Sequence, residues 1–161
     1  MKTLIFYMFM LLFSIFVYSS CSHGNKDDFK QLDLISYGIP LKVKAPEGTI
    51  VKTEDMGIVK DITLKKGNGY FIQILNSTVM NDDISKLKND RLEEVKKSPY
   101  FSKIILDEDN GFVYEKKMND SIFNYDFRYT KIQGDQQYTF QTGLFGMFTK
   151  DQVMKMYNSI K

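Results

Sequence analysis

A stretch of strict alternation between aromatic and polar residues, Phe123 to Tyr129, constrains the fold most. Aromatic rings occupy the odd positions, and Asn124, Asp126 and Arg128 stand between them. Successive side chains of a β-strand point to opposite faces of the sheet, so this pattern predicts a strand that buries all its rings on one face. We interpret the rings as core, and a ring platform for a ligand is the alternative.

Other segments predict an antiparallel sheet around this strand. A turn at residues 133 to 136 leads back through Tyr138 and Phe140, which are expected to pair with the first set of rings. Alternation, β-branched residues and flanking turn residues predict further strands at residues 32–38, 41–45, 58–65, 70–75, 101–106 and 112–117.

The loop between the last two of these strands, Asp107 to Gly111, contains three carboxylates and invites a calcium interpretation. A calcium loop needs glycine at its sixth position and a bidentate Glu at its twelfth, which this loop does not supply. We therefore interpret Asn110-Gly111 as a hairpin turn with positive φ at both residues.

Two helices are predicted. Residues 83 to 97 carry an apolar stripe and follow the N-cap candidates Asn81, Asp82 and Asp83. The second begins after Thr149, with Gln152 as its capping-box partner. The apolar loop 143–148 before it is interpreted as a strand end and hydrophobic staple, with an exposed contact as the alternative.

The predicted fold class is α+β: an antiparallel sheet of about six or seven strands with a mid-chain helix and a C-terminal helix packed on it.

The N-terminal segment predicts an export signal. Lys2 is followed by an apolar run of about 14 residues, shorter than the roughly 20 that span a bilayer, and then by two serines and Cys21. The end of this segment resembles a bacterial lipobox. That resemblance implies cleavage after residue 20 and acylation of Cys21, including by palmitate. An ordinary secretory cysteine and an uncleaved membrane anchor are the alternatives.

The remaining chain is expected to form one domain behind a tether. Residues 21–31 are predicted to be a flexible, polar tether that contains the only histidine, His23, as a solvated residue. Residues 32–161 form the predicted single domain. Removing Lys2 leaves 21 basic residues, 22 minus 1, against 20 acidic ones, so no concentrated basic face and no nucleic-acid partner are expected.

Residue types also exclude several chemistries. With one His and one Cys in the whole chain, the domain lacks the residues of Ser-His-Asp and Cys-His catalysis, of common zinc sites and of internal disulfides. We expect no enzyme activity, no metal and no cofactor. A two-carboxylate glycosidase is not excluded by residue counts, but no carboxylate pair stands in an apolar setting that would raise its pKa.

The order of elements resembles the PsbP/DcrB-like superfamily. The resemblance rests on the words Tyr37-Gly38-Ile39-Pro40 and Ala45-Pro46, on the mid-chain helix between strands, and on the closing helix that ends at residues 156–161. It covers most of residues 32 to 161. It implies a non-catalytic adaptor domain and transfers no functional residue to this chain.

Two functions follow as hypotheses for a protein lipid-anchored to the inner or outer membrane, with its domain in the periplasm or at the cell surface. One is an adaptor or accessory protein that binds envelope proteins; the other is a receptor for a small or lipidic ligand. An adaptor should show a filled core and an exposed apolar patch, a receptor a ring-lined cavity. Asp120-Ser121-Ile122 also matches a bacterial O-glycosylation pattern, which makes Ser121 a candidate modification site.

Overall fold

A computed structural model describes residues 28–161. Strands β1 to β9 and helices α1 and α2 follow along the chain as β1 Phe29–Asp33, β2 Lys42–Pro46, β3 Ile50–Asp55, β4 Val59–Lys66, β5 Tyr70–Thr78, α1 Ile84–Lys96, β6 Phe101–Glu108, β7 Gly111–Lys117, β8 Phe123–Gln133, β9 Gln136–Thr142 and α2 Lys150–Ser159. A short 3-10 turn, Ile35–Tyr37, joins β1 to β2.

Strands β3 to β9 form a seven-stranded sheet in the order β3-β4-β5-β9-β8-β7-β6, and every neighbouring pair is antiparallel. Strands β1 and β2 form a separate antiparallel hairpin. The α+β fold with a mid-chain and a C-terminal helix is therefore confirmed. The sequence reading omitted β3, and it placed a strand at residues 32–38 where β1 already ends at Asp33. Because β1 begins at Phe29, the ordered hairpin starts inside the segment predicted as tether.

The two faces of the large sheet are covered by different elements. Helix α2 and the β1–β2 hairpin cover one face, where Leu41, Ile72, Phe127 and Tyr157 belong to the main apolar cluster. Helix α1 lies on the other face, where its Leu92 and Val95 form a smaller cluster with two aromatic residues of β7, Phe112 and Tyr114. The sheet is thus the middle layer of a three-layer domain.

Both helix starts follow their predicted capping residues. The Asp83 carboxylate accepts the Lys86 backbone N–H at the start of α1. At the start of α2, the Thr149 hydroxyl accepts the Gln152 N–H, and the Gln152 side chain accepts the Thr149 N–H. These bonds satisfy backbone donors that a helix start otherwise leaves without partners.

The aromatic strand packs largely as predicted. Phe127 is completely buried and meets Tyr157 of α2 edge-on, and Tyr129 packs against both Tyr157 and Phe140. The prediction is wrong for Phe123, which is 44% exposed because it lies at the very start of β8. The polar face of the strand does not meet water at Asn124 and Asp126, which are buried.

The acidic loop is a tight hairpin turn, as predicted, but its geometry differs. Neither Asn110 nor Gly111 has positive φ, so that part of the prediction is wrong. Gly111 begins β7, and a Cβ there would lie 2.5 Å from the Arg128 carbonyl oxygen of the neighbouring strand. Glycine is required here by the close approach of two backbones.

The first described residues lie at one end of the large sheet and not at the other. The Phe29 ring packs edge-on against Tyr70, the first residue of β5, with ring centroids 5.7 Å apart. We call this end, where β3, β5, β6 and β8 begin, the proximal end. The β1–β2 connection lies at the opposite, distal end, where the Lys60 ammonium donates to the Tyr37 carbonyl.

Candidate functional site

Of the two residues proposed for modification, the structure describes only Ser121. Cys21 lies outside the residues that the structure describes. Ser121 is exposed in the turn between β7 and β8, where its backbone N–H donates to the Asn119 side chain. Its glycosylation stays a prediction, which peptide mapping of the native protein decides.

The loop from Gly143 to Phe148, at the proximal end, lies beside the first residues of β8, which strand β9 does not reach. Strand β9 ends at Thr142, so the first residues of β8 extend beyond it. The Asn124 side chain donates to the Gly146 carbonyl and accepts the Phe148 N–H, and the Tyr125 N–H donates to the Phe148 carbonyl. The loop backbone is therefore held on the sheet by buried hydrogen bonds.

The side chains of this loop divide into two groups. Phe148 is buried in the main cluster, as the staple interpretation predicts. Leu144 and Met147 are largely exposed, and Phe145 is 96% exposed, so these residues fit the alternative of an exposed contact. Large apolar side chains also protrude from the neighbouring β7–β8 turn. Together they form the proximal patch, which consists of Met118, Ile122, Phe123, Leu144, Phe145 and Met147.

Basic residues accompany the proximal patch. Among residues 28–161, five lysines near this end make no ion pair: Lys65, Lys66, Lys97, Lys150 and Lys155. The carboxylates here are Asp28, Glu47, Asp120 and Asp151, of which Glu47 and Asp120 are paired with Lys30 and Lys117. The proximal end therefore presents apolar side chains together with an excess of unpaired positive charge.

The distal end has exposed apolar residues of its own. Met56 and Ile58 flank Gly57 in the β3–β4 turn, and Met80 follows the end of β5. Ile58 is 90% exposed and Met80 99% exposed, so no other described residue shields them. Ile35, in the β1–β2 connection, is exposed at the same end. We call these four residues the distal patch.

Acidic residues surround the distal patch. Turns and strand ends here carry carboxylates that make no ion pair within the described part of the chain: Asp55, Asp82, Asp83, Asp109 and Asp135. Asp107 and Glu108 lie here as well, paired with Lys88 and Lys161. The balance of unpaired charge therefore differs between the two ends. Unpaired lysines outnumber unpaired carboxylates at the proximal end, whereas these five aspartates outnumber the unpaired Lys60 and Lys131 at the distal end.

The most connected titratable group lies under α1 and not at either end. The Asp126 side chain is buried, and it accepts hydrogen bonds from the Tyr114 hydroxyl at 3.0 Å, the Lys116 ammonium at 3.2 Å and the Arg128 guanidinium at 3.0 Å. The hydroxyl and the backbone N–H of Thr142 and the backbone N–H of Phe127 also donate to this carboxylate. These contacts join β7, β8 and β9 beneath the helix.

The electrostatics of this cluster indicate a structural role. Burial alone would raise the pKa of Asp126, but the positive charges of Arg128 and Lys116 and the Thr142 hydrogen bond hold it below its usual range. A general acid or base needs a pKa near the working pH and a free oxygen in reach of a substrate. Asp126 instead stays ionised with its oxygens occupied, so it stabilises the sheet.

A groove of about 300 Å³ opens beside the β4–β5 turn at the proximal end. Its wall combines apolar and polar groups: Phe29, Pro46, Lys66, Gly67, Asn68, Gly69, Tyr70, Gln152 and Lys155. The lysines and side-chain amides are suited to an anionic group. The aromatic core strand does not form this wall, since Phe127 and Phe140 are buried under α2.

Comparison with known proteins returned no match to a family model, to a curated protein or to a solved structure. Within residues 28–161, neither helix has the length and apolar character needed to cross a bilayer.

Sequence reasoning missed the distal patch and the charge separation. A signal was present for the patch, because apolar residues stand inside turn sequences at Met56-Gly57-Ile58 and before Asn81-Asp82. Turns are otherwise polar, so an apolar residue in a turn indicates either burial by another element or a contact surface. The charge separation has no local signal, because its residues come from distant parts of the chain.

Proposed function

We propose that this protein is a non-catalytic adaptor of the bacterial cell envelope, anchored in the membrane through acylated Cys21 and binding an envelope protein through its distal end. The domain would be of the PsbP/DcrB-like type. The observation that carries the proposal is the placement of the distal patch at the end of the sheet opposite to Asp28, the first residue that the structure describes.

The filled core favours an adaptor over a receptor built on the aromatic strand. Tyr138, Phe140 and Phe127 are essentially without exposure and belong to the main apolar cluster, so their rings present no open face to a ligand. Isolated exposed apolar residues are common on protein surfaces, but several at one end commonly mark a contact site. Their acidic surroundings favour a partner that presents apolar residues among basic ones.

Photo-crosslinking in living cells tests this function. A photoreactive residue placed at Ile58, and separately at Met80, is expected to give an adduct with the same envelope protein. Asp82→Lys together with Asp135→Lys is expected to abolish both adducts, because it reverses the charge that attracts a basic partner. The matched control is the probe at Asp90, on the exposed side of α1, which should give no such adduct.

Two results would contradict the adaptor function. One is the absence of any protein adduct from both distal positions. The other is an adduct that also forms from Asp90 or that is insensitive to the charge reversal, since crosslinking would then report random encounters.

The proximal groove favours a second candidate function, a receptor for a small anionic ligand. Its volume lies at the low end of the range for ligand pockets, and Lys66 and Lys155 supply positive charge. Native mass spectrometry of the protein purified from its own cells should then show a bound anionic compound that Lys155→Glu removes. An unliganded spectrum for the unaltered protein would argue against this candidate.

A further inference from the structure

The proximal end carries a surface that the adaptor function does not use. We propose that the proximal patch docks on the surface of an anionic lipid bilayer, with Leu144, Phe145 and Met147 in the lipid interface and the unpaired lysines among the headgroups. The proposal rests on the Cys21 anchor of the proposed function, and it adds an orientation of the domain to that anchor.

Chain length determines which end of the domain can face the membrane. Cys21 is seven residues before Asp28, so the connecting chain reaches at most about 25 Å. The nine residues of β5 span about 30 Å between the two ends of the sheet. Because Asp28 adjoins the proximal end, a bilayer at the distal end would lie beyond this reach. The anchor therefore brings the proximal end toward the membrane.

The chemistry of the proximal patch fits a bilayer interface. Phe145 and Leu144 extend from a loop whose backbone is hydrogen-bonded to β8, so little backbone freedom is lost when the side chains enter the interface. Apolar side chains flanked by lysines bind membranes through buried apolar area and through attraction to anionic lipids. The distal end combines its apolar residues with carboxylates, which anionic lipids repel.

The several acyl chains proposed on Cys21 already hold the protein to the bilayer, and a second membrane contact would fix the orientation of the domain. Once Cys21 is inserted, the patch faces a bilayer at high local concentration, so even a weak contact becomes populated. The docked orientation points the distal patch away from the membrane. The partner-binding end of the adaptor is thereby presented outward.

Tryptophan fluorescence tests the docking, because the chain has no tryptophan and an introduced one reports on its own position alone. The chain from Cys21 to Lys161 is coupled through its only cysteine to maleimide lipids in vesicles of phosphatidylcholine and phosphatidylglycerol. Phe145→Trp places a fluorophore in the patch, and Met80→Trp is the control at an equally exposed distal site. Emission from Phe145→Trp is expected to shift to the blue and to lose most of its intensity with brominated lipids, whereas Met80→Trp is expected to change little.

Additional variants and lipid mixtures test whether the emission change comes from docking of the proximal patch on anionic lipid. Met147→Trp repeats the probe at a second patch residue. Adding Lys65→Glu and Lys150→Glu to the Phe145→Trp chain is expected to diminish both the blue shift and the quenching. Vesicles of phosphatidylcholine alone are expected to have the same effect. Equal emission from the proximal and distal probes, with or without quenching, would overturn the proposed docking. Because the maleimide replaces the native acyl chains, this result is independent of whether cells acylate Cys21.

Discussion

Phe127→Ala is expected to lower the free energy of unfolding by about 3 to 5 kcal/mol, the usual cost of truncating a fully buried phenylalanine. The ring is fully buried in the main cluster, and its edge-on contact with Tyr157 links β8 to α2. A loss of this size is a large fraction of the ~5 to 15 kcal/mol that stabilises a typical domain. Urea or guanidinium unfolding of the chain from Ser22 to Lys161 measures it.

The matched control is Phe123→Ala in the same strand. Phe123 has the same side chain and the same sheet face by sequence pattern, but it is partly exposed at the strand start. Its truncation is expected to change stability by no more than about 0.5 kcal/mol, as for most surface substitutions. Equal losses from both variants would show that the aromatic row does not divide into a buried and an exposed part.

Asp126→Asn is expected to cost about 3 kcal/mol in free energy of unfolding. The amide keeps the volume but removes the negative charge that Arg128 and Lys116 contact, and breaking a buried ion pair from one side typically costs about 3 to 5 kcal/mol. We expect the low end of that range, because Arg128 and Lys116 are partly exposed and water stabilises their charges. The same denaturant measurement applies.

Acid pH should reduce the difference in free energy of unfolding between Asp126→Asn and the unaltered protein. The pKa of Asp126 is lower in the folded than in the unfolded chain, so its contribution is present above the unfolded value of about 3.9 and is lost as pH falls toward the folded value. Asp120→Asn is the control, because Asp120 is exposed in its pair with Lys117. A stability difference for Asp126→Asn that stays constant from pH 7 to the acid limit would contradict an ionised, charge-paired Asp126.

The elements of this fold were predictable where a local pattern specifies them. Strict alternation marked β8, and the Thr149–Gln152 capping box marked the start of α2. Strand β3 was missed because its outward residues include Lys52 and Glu54, and an edge strand with little burial has no apolar face to reveal it. The Ile35–Tyr37 turn was read as strand because its apolar residues resemble one, although Gly38 closes the turn with positive φ.

The candidate surfaces were less predictable than the core, for a physical reason. A core residue follows from the period of its own strand or helix, whereas a surface patch forms where turns from separate elements meet. Phe145 and Ile122 lie far apart in sequence, and they share an end only because β8 and β9 are neighbours in the sheet. The buried Asp126 was likewise hidden, since a polar residue opposite an aromatic row is ordinarily solvent-facing.

Anchor, charge separation and patches combine into one arrangement. Asp28, the first described residue, and most of the unpaired lysines named above lie at the proximal end, whereas most of the unpaired aspartates and the distal patch lie at the other end. A lipid anchor at Cys21 would make use of this charge distribution. It would hold the basic proximal end at the membrane and leave the acidic distal end free to bind a partner. The proposed attachment at Cys21 is therefore the feature on which the adaptor function depends most.

Intact-mass spectrometry of the protein extracted from the membranes of its own cells tests that attachment most directly. The expected mass is that of residues 21–161 with acyl chains and diacylglycerol on Cys21. A polypeptide that begins at another residue, or one that begins at Cys21 with a free thiol, would contradict the lipid anchor and the adaptor function built on it.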